Sequence, residues 1–431
     1  MNSRVGLNII DLLVVLAIAV GTESLVGYIT LDLIELPMRL CGLLFVTFCY
    51  FVRFGFDFPN IGRLFHKPLL TMFFVVLLWE IMQMALTGNM QFVGYTVRLL
   101  TYLVVCMYFY RATRNFTDIT NLIKPYSIYY IYSFIIIVLA SVFMTMGLIS
   151  PTDNELAESE LLRTNMNEGI TYYWPGCLSV VSSAGGRIIL WNDLPVFFGL
   201  SHEPHVFGHC TFPAFFLLLY LLRDKRFYSI LCYVSLFILL LLSFASTSLV
   251  SLVITFLFGV ASIRRRKMSF GYTLSLVTIA VAMLYFSVSQ FDILSQIDLL
   301  FSNKLESGSQ NYSANLISYL LTPTGLLGTG IYPSLESRGS LDGNIGYISS
   351  LLIVIFEVLF YYKTIKFVFS KDVLSRYLGL SCLYFSVHSL KLGPLIFNYP
   401  MLLYMVIILL FADSLSKKPK EKKILYKRVY E

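Results

Sequence analysis

Residues 68–88 read PLLTMFFVVLLWEIMQMALTG, with Arg63 and Lys67 just ahead of them. Roughly twenty residues with a single carboxylate, Glu80, match the length a helix needs to cross a hydrocarbon core about 30 Å thick. No water is present there to satisfy backbone N–H and C=O groups, so a spanning run of this length must be helical. Working outward, similar runs recur at 7–29, 36–54, 92–110, 126–149, 206–222, 227–245, 247–263, 269–289, 345–362, 374–390 and 394–412. Together these give roughly twelve spans. The 431-residue chain is 57% hydrophobic and 13% charged, against roughly 25% charged residues in soluble domains. The fold class expected is an all-α polytopic membrane protein, with residues 1–431 as a single integral domain. The first span begins close to Met1 and lacks a small-residue cleavage site, so it is expected to stay as a helix and not be removed as a signal peptide.

Short cytoplasmic loops collect Lys and Arg. Alternate loops here do so: Arg53, Arg63 and Lys67; Arg111, Arg114 and Lys124; Arg223, Lys225 and Arg226; Arg264, Arg265, Arg266 and Lys267; Lys363, Lys366, Lys371 and Arg376. With Arg4 and the basic tail 413–431, most of the 32 basic residues fall on one side if both termini are cytoplasmic. The net charge of +7 thus reads as topology; a nucleic-acid partner would need a concentrated basic face. The tail either touches anionic lipid headgroups or serves only as a topogenic anchor. Seven cysteines lie mostly inside spans. Only Cys177 falls in an outer loop, so no disulfide framework is indicated. The chain shows no internal repeat.

Two outer connections are long, 150–205 and 290–344. Loops beyond about 12–15 residues are usually functional or disordered, and these are expected to pack over the outer mouth. The exception is the acidic stretch 151–160, which reads as solvated. Orientation pressure disfavours outer cations, yet Arg163, Arg187, Lys304 and Arg338 lie in these loops. Arg39 and Arg98 sit a turn or two inside apolar spans, where charged groups are usually paired or functional. They either snorkel, pair with Asp32, Glu35 or Glu80, or join the loop cations in holding an anion such as a lipid-linked diphosphate. Arginine suits that ligand because its planar fork grips phosphate oxygens in pairs.

Residues 197–210 read FFGLSHEPHVFGHC and hold three of the chain's five histidines. Pro204 suits the first turn of a helix, and Ser201 suits its cap. Glu203 and His205 then lie at the outer end of that helix. His205 and His209, four apart, share a face. Three readings compete. His202, His205 and His209 with Glu203 could ligate a metal. The histidines could instead cap the helix and bond to loop carbonyls. The third reading is a catalytic or substrate-binding cluster, with Glu203 as the first candidate for general base and His209 as core.

The segment Thr322–Tyr332 has glycine spacing but neither a preceding strand nor a P-loop lysine, which rejects a nucleotide motif. Glycines there permit close backbone approach. Beyond Arg338, Asp342 and Asn344 either bind sugar hydroxyls or cap the following helix.

In order, these features are Arg187 in a long outer loop, Gly199-Leu200-Ser201-His202-Glu203-Pro204 opening a span, Ser246-Thr247-Ser248, Gly328-Thr329-Gly330, and Asp342-Gly343-Asn344. The pattern, over roughly 185–347, resembles the Wzy-type polymerases of bacterial O-antigen and capsular polysaccharide. That resemblance implies a multi-pass inner-membrane glycosyltransferase of the membrane-embedded GT-C kind, independent of metal and nucleotide and needing no cofactor. It would move a growing glycan, with inversion, from undecaprenyl diphosphate onto the sugar of a second lipid-linked repeat unit. Donor and acceptor glycolipids, membrane lipids and a chain-length regulator protein are the partners implied, with no nucleic acid. Catalytic roles fall to Glu203, Arg187, His202 and His205, and diphosphate or substrate binding to Arg98, Lys304, Arg338, Asp342 and Asn344. The chain departs from the family around Ser309-Gln310-Asn311-Tyr312, where an arginine is common. Lys304 is the nearest cation there. The second loop has no histidine, unlike the related O-antigen ligases, which favours polymerase over ligase. A lipid-linked oligosaccharide flippase is the alternative from another class, and a membrane acyltransferase using His202 or His205 is a third.

Overall fold

Apolar periodicity, proline and glycine set where each helix begins and ends. The computed structural model describes residues 9–20, 25–59, 65, 67–86, 92–112, 116–148, 152–153, 169–174, 178–183, 196–197, 199, 201, 204–243, 245–264, 347–392, 405 and 408–409. Among these residues there are ten helices. They are α1 (Ile9–Val20), α2 (Leu25–Phe54), α3 (Pro68–Leu86), α4 (Phe92–Ala112), α5 (Phe116–Thr145), α6 (Pro204–Leu222), α7 (Arg226–Leu242), α8 (Ser246–Arg264), α9 (Tyr347–Val368) and α10 (Val373–Leu392). By length and composition α3, α4 and residues 122–143 of α5 are apolar enough to cross a membrane, and α1, α6, α7 and α8 carry shorter apolar stretches. The architecture is that of a helical membrane protein. The expected spans 269–289 and 394–412 fall outside the described residues, apart from 405 and 408–409.

Local chemistry explains the helix ends. Pro68 and Pro204 occupy first helical positions, where a missing N–H costs nothing. Gly147 follows α5 with φ 67°, and the Leu148 N–H reaches back to the Phe143 carbonyl at 3.0 Å. This is a Schellman ending, in which a left-handed residue satisfies carbonyls left over by the last turn. Asp372 caps α10, its carboxylate accepting from the Ser375 backbone N–H at 2.7 Å.

Three sequence expectations are revised. The helix α2 starts at Leu25, so Asp32 and Glu35 lie within it and not in a connection between spans. The 150–205 connection is not purely helical or loop. It carries β1 (Thr152–Asp153), β2 (Gly169–Trp174), β3 (Leu178–Ser183) and β4 (Val196–Phe197) in one antiparallel sheet of order β1-β2-β3-β4. The register sets Thr152 opposite Tyr173, Thr171 opposite Val181, and Val180 opposite Phe197. Thr152 and Asp153, expected in a solvated acidic stretch, thus pair as a strand. Finally, α6 begins at Pro204, so Ser201 lies two positions ahead of the cap; it is buried and faces the Tyr129 hydroxyl of α5.

The chain leaving β4 enters the bundle. Phe197 is buried, and Gly199 at φ 53° sits so that a β-carbon would come 3.3 Å from the Phe207 ring and 3.5 Å from Ile137. This anchors the sheet to one end of the helices. The other end gathers the basic helix termini. There the Tyr108 hydroxyl donates to the Asp11 carboxylate at 2.5 Å and Arg53 Nε donates to the same oxygen at 3.3 Å. Arg111 pairs with the Asp57 carboxylate nearby. Asp11 therefore serves a paired structural role near the start of α1.

Between the two ends, apolar and aromatic side chains form a continuous core. The helix α6 packs on α5, α7, α8 and α10, and α9 joins α10 to α3. The ring contacts Phe73–Tyr102 at 5.9 Å and Phe73–Phe356 at 5.9 Å tie α3 to α4 and α9.

Candidate functional site

Two polar clusters lie inside the bundle at its sheet end. The first is built on α2 and α4. Arg39 is 9% exposed, and its guanidinium stands 4.9 Å from the centroid of the Tyr95 ring. Arg98, a turn further along α4, places its own guanidinium 5.3 Å from the same centroid. The ring's negative face attracts both cations. Gly94 makes the arrangement possible, since a β-carbon there would come 2.8 Å from a guanidinium nitrogen of Arg39. On neighbouring α3, Glu80 and Gln83 are buried. The Ser349 hydroxyl of α9 accepts from the Trp79 indole N–H at 2.9 Å and donates to the Gln83 amide oxygen at 3.0 Å. Polar groups desolvated in an apolar interior are costly unless bonded or used. Two planar forks converging on one ring offer an anion several bidentate contacts within a low-dielectric wall.

The second cluster joins α6, α10, α8 and α5. His209 is 1% exposed and packs its ring 4.4 Å from Phe385 and 5.4 Å from His388, centroid to centroid. The Tyr384 hydroxyl lies 3.2 Å from His388 Nδ1 and faces Ser248. Gly208 leaves space for Ser248 and Tyr384, because a β-carbon there would strike the Ser248 hydroxyl and lie 3.4 Å from the Tyr384 oxygen. On the α5 side, Tyr129 faces Ser133, Ser201 and Thr211. Pro213 has no N–H for the carbonyl four residues before it, so α6 lacks the usual intrahelical bond at His209. The Pro213 carbonyl in turn accepts from the Ser381 hydroxyl at 2.8 Å, which fastens α10 to α6.

Of the residues expected from sequence, Arg98 is described and shares the Tyr95 ring with Arg39, while His209 is in the core as expected. His205 occupies the first turn of α6. Arg187, His202, Glu203, Lys304, Arg338, Asp342 and Asn344 lie outside the described residues. Among the described residues no group of three or more His, Cys, Asp or Glu could hold a metal ion. His388, Tyr384 and Tyr95 were not singled out from sequence. A signal existed for the first two, because Ser381, Tyr384, Phe385 and His388 recur at helical spacing on one face of an otherwise apolar run.

No protein-family model, curated protein or solved structure matches the chain. The fold and its polar interior define a helical membrane protein with Arg39, Arg98, His209 and His388 at the sheet-bearing end.

Proposed function

We propose that this chain polymerises undecaprenyl-diphosphate-linked oligosaccharide repeat units at the periplasmic face of a bacterial inner membrane. The observation that carries the reading is the Arg39–Tyr95–Arg98 cluster, a buried and a half-buried guanidinium group on one ring of an apolar bundle. The leaving group in such a reaction is a lipid diphosphate whose negative charge grows as the glycosidic bond breaks. Preorganised cations aimed at that charge lower the barrier most effectively where water is scarce. Arg187, Lys304 and Arg338 extend the same chemistry into the outer loops. Glu203 or His205 takes the proton of the acceptor hydroxyl, His202 supports that base, and Asp342 and Asn344 hold sugar hydroxyls. The anomeric carbon inverts because the acceptor attacks opposite the departing diphosphate. The sheet end of the bundle is then the periplasmic end, and the basic helix termini face the cytoplasm in keeping with the charge bias of short loops.

The test is the surface glycan ladder of a strain lacking the gene, complemented with wild type or with Glu203→Ala or Arg187→Ala. Wild type is expected to give long chains, and each variant, inserted in normal amount, glycans only one repeat unit long. Long chains from both variants would remove the site assignment. Absence of all surface glycan, with lipid-linked units retained inside, would indicate a transporter instead.

A further inference from the structure

We propose that His209 and His388 form a buried proton-binding pair, with the Tyr384 hydroxyl against His388, that takes one proton and resists a second. The two rings stand 5.4 Å apart on α6 and α10, helices fixed to each other by the Ser381 to Pro213 bond. Neither helix can withdraw its imidazole without disturbing that contact. Imidazole is the side chain whose charge changes near neutral pH. Two imidazolium charges at this separation repel enough, at an effective dielectric near 20, to displace the second protonation by about 2 pH units.

Burial opposes any charge on the pair, and two neighbours act against that cost for a single proton. The Phe385 ring lies 4.4 Å from His209 and can face an imidazolium. The Tyr384 oxygen, 3.2 Å from His388 Nδ1, can donate to a neutral ring or accept from a charged one. Among the described residues, the Tyr384 hydroxyl of α10 lies against His388, with the Ser248 hydroxyl of α8 facing Tyr384, and Cys210 of α6 lies near both Tyr384 and Tyr129 of α5. The described charges of α6, α7 and α8 that are nearest in sequence, Arg223, Asp224, Lys225, Arg226 and Arg264, sit at the opposite ends of those helices.

The pair deepens the proposed reaction and rests on it for its role. When the acceptor oxygen bonds to the anomeric carbon and the bond to diphosphate breaks, the hydroxyl proton passes to the base at the start of α6. His205 is one helical turn from His209. The pair stores the proton within the bundle while product leaves, then returns it by way of the base at the start of α6. Atoms and charge balance: one proton leaves the acceptor hydroxyl, and the lipid diphosphate departs with the electron pair of the broken bond.

The experiment is a count of bound protons that does not depend on activity. Full-length protein labelled with [15N]histidine, in lipid nanodiscs, is followed by NMR from pH 9 to pH 5. A variant with His66→Gln, His202→Gln and His205→Gln leaves only the pair; where it fails to fold, wild type with His388→Gln and His209→Gln assigns the signals. Both imidazoles are expected to shift together at a common midpoint with uptake of one proton, the second arriving about 2 pH units lower. Two neutral rings throughout the range, or two protons bound independently, would overturn the proposal. A wild type that makes no polymer would instead remove the proposed reaction and leave the proton count standing.

Discussion

Polymer formation by the Arg98→Ala protein is expected to fall about 10²–10³-fold, the loss typical of removing one group that stabilises developing negative charge. The guanidinium of Arg98 shares the Tyr95 ring with that of Arg39, so in the proposed reaction both would act on one diphosphate and their losses are expected not to add. The double variant Arg39→Ala, Arg98→Ala should therefore be only slightly worse than the poorer single one. Arg98→Lys keeps the charge and loses the planar fork, so it should recover part of the rate, with weaker binding of donor. Gly94→Ala separates ligand binding from folding. Its β-carbon would meet the mobile tip of Arg39 at 2.8 Å, which the side chain can avoid by moving, so the bundle survives while the guanidinium leaves its position. Initial rates of chain extension in membranes, normalised to the amount of protein, measure all four. A wild-type rate from the double variant would show that this cluster is structural.

Gly379→Val is expected to have the largest effect on folding. Gly379 lies where α10 crosses the end of α9, and a β-carbon there would come 2.5 Å from the Val368 backbone nitrogen and 2.8 Å from the Phe367 carbonyl carbon. Backbone atoms cannot swing aside as a side-chain tip does, so the hairpin must open. Overpacking a well-filled core costs about 1–3 kcal/mol, with backbone shifts toward the upper end. Because α10 also carries Ser381, Tyr384 and His388, opening it disturbs the contact with α6. A several-fold drop in steady-state protein follows from losses of about 1–2 kcal/mol. Thermal unfolding in detergent should show a clearly lowered midpoint for Gly379→Val. Gly42 serves as the comparison: nothing lies within 4 Å of its β-carbon position, so Gly42→Ala should be neutral or slightly stabilising. Equal midpoints for the two variants would contradict the close α9–α10 crossing.

Much of the helical frame was legible because each cue acts locally. The expected spans 92–110, 206–222, 227–245 and 247–263 fall within a few residues of α4, α6, α7 and α8, since apolar runs ended by Arg, Gly or Pro leave little choice. The start of α2 was not legible. Asp32 and Glu35 look like loop residues in a hydropathy reading, yet carboxylates do not stop a helix, and Leu25–Phe54 continues through them and through Pro37. The sheet was missed although GITYYW and LSVVSS, β-branched and aromatic runs on either side of Pro175-Gly176, carried a hairpin signal. Long outer connections in a membrane chain invite a loop reading, which hid it. At the site, the half-buried setting of Arg98 followed from its place in an apolar run. Its companion ring Tyr95 and the meeting of His209 with His388 did not, because residues separated by far more than one helix meet only through packing.

The most direct measurement is polymerisation by purified wild-type protein in nanodiscs supplied with an undecaprenyl-diphosphate-linked repeat unit and no nucleotide. Products of increasing length are expected, with one lipid diphosphate released for every new glycosidic bond and with inverted configuration at the linked carbon. Repeat units that cross the bilayer unchanged, with no lipid diphosphate released, would contradict the account.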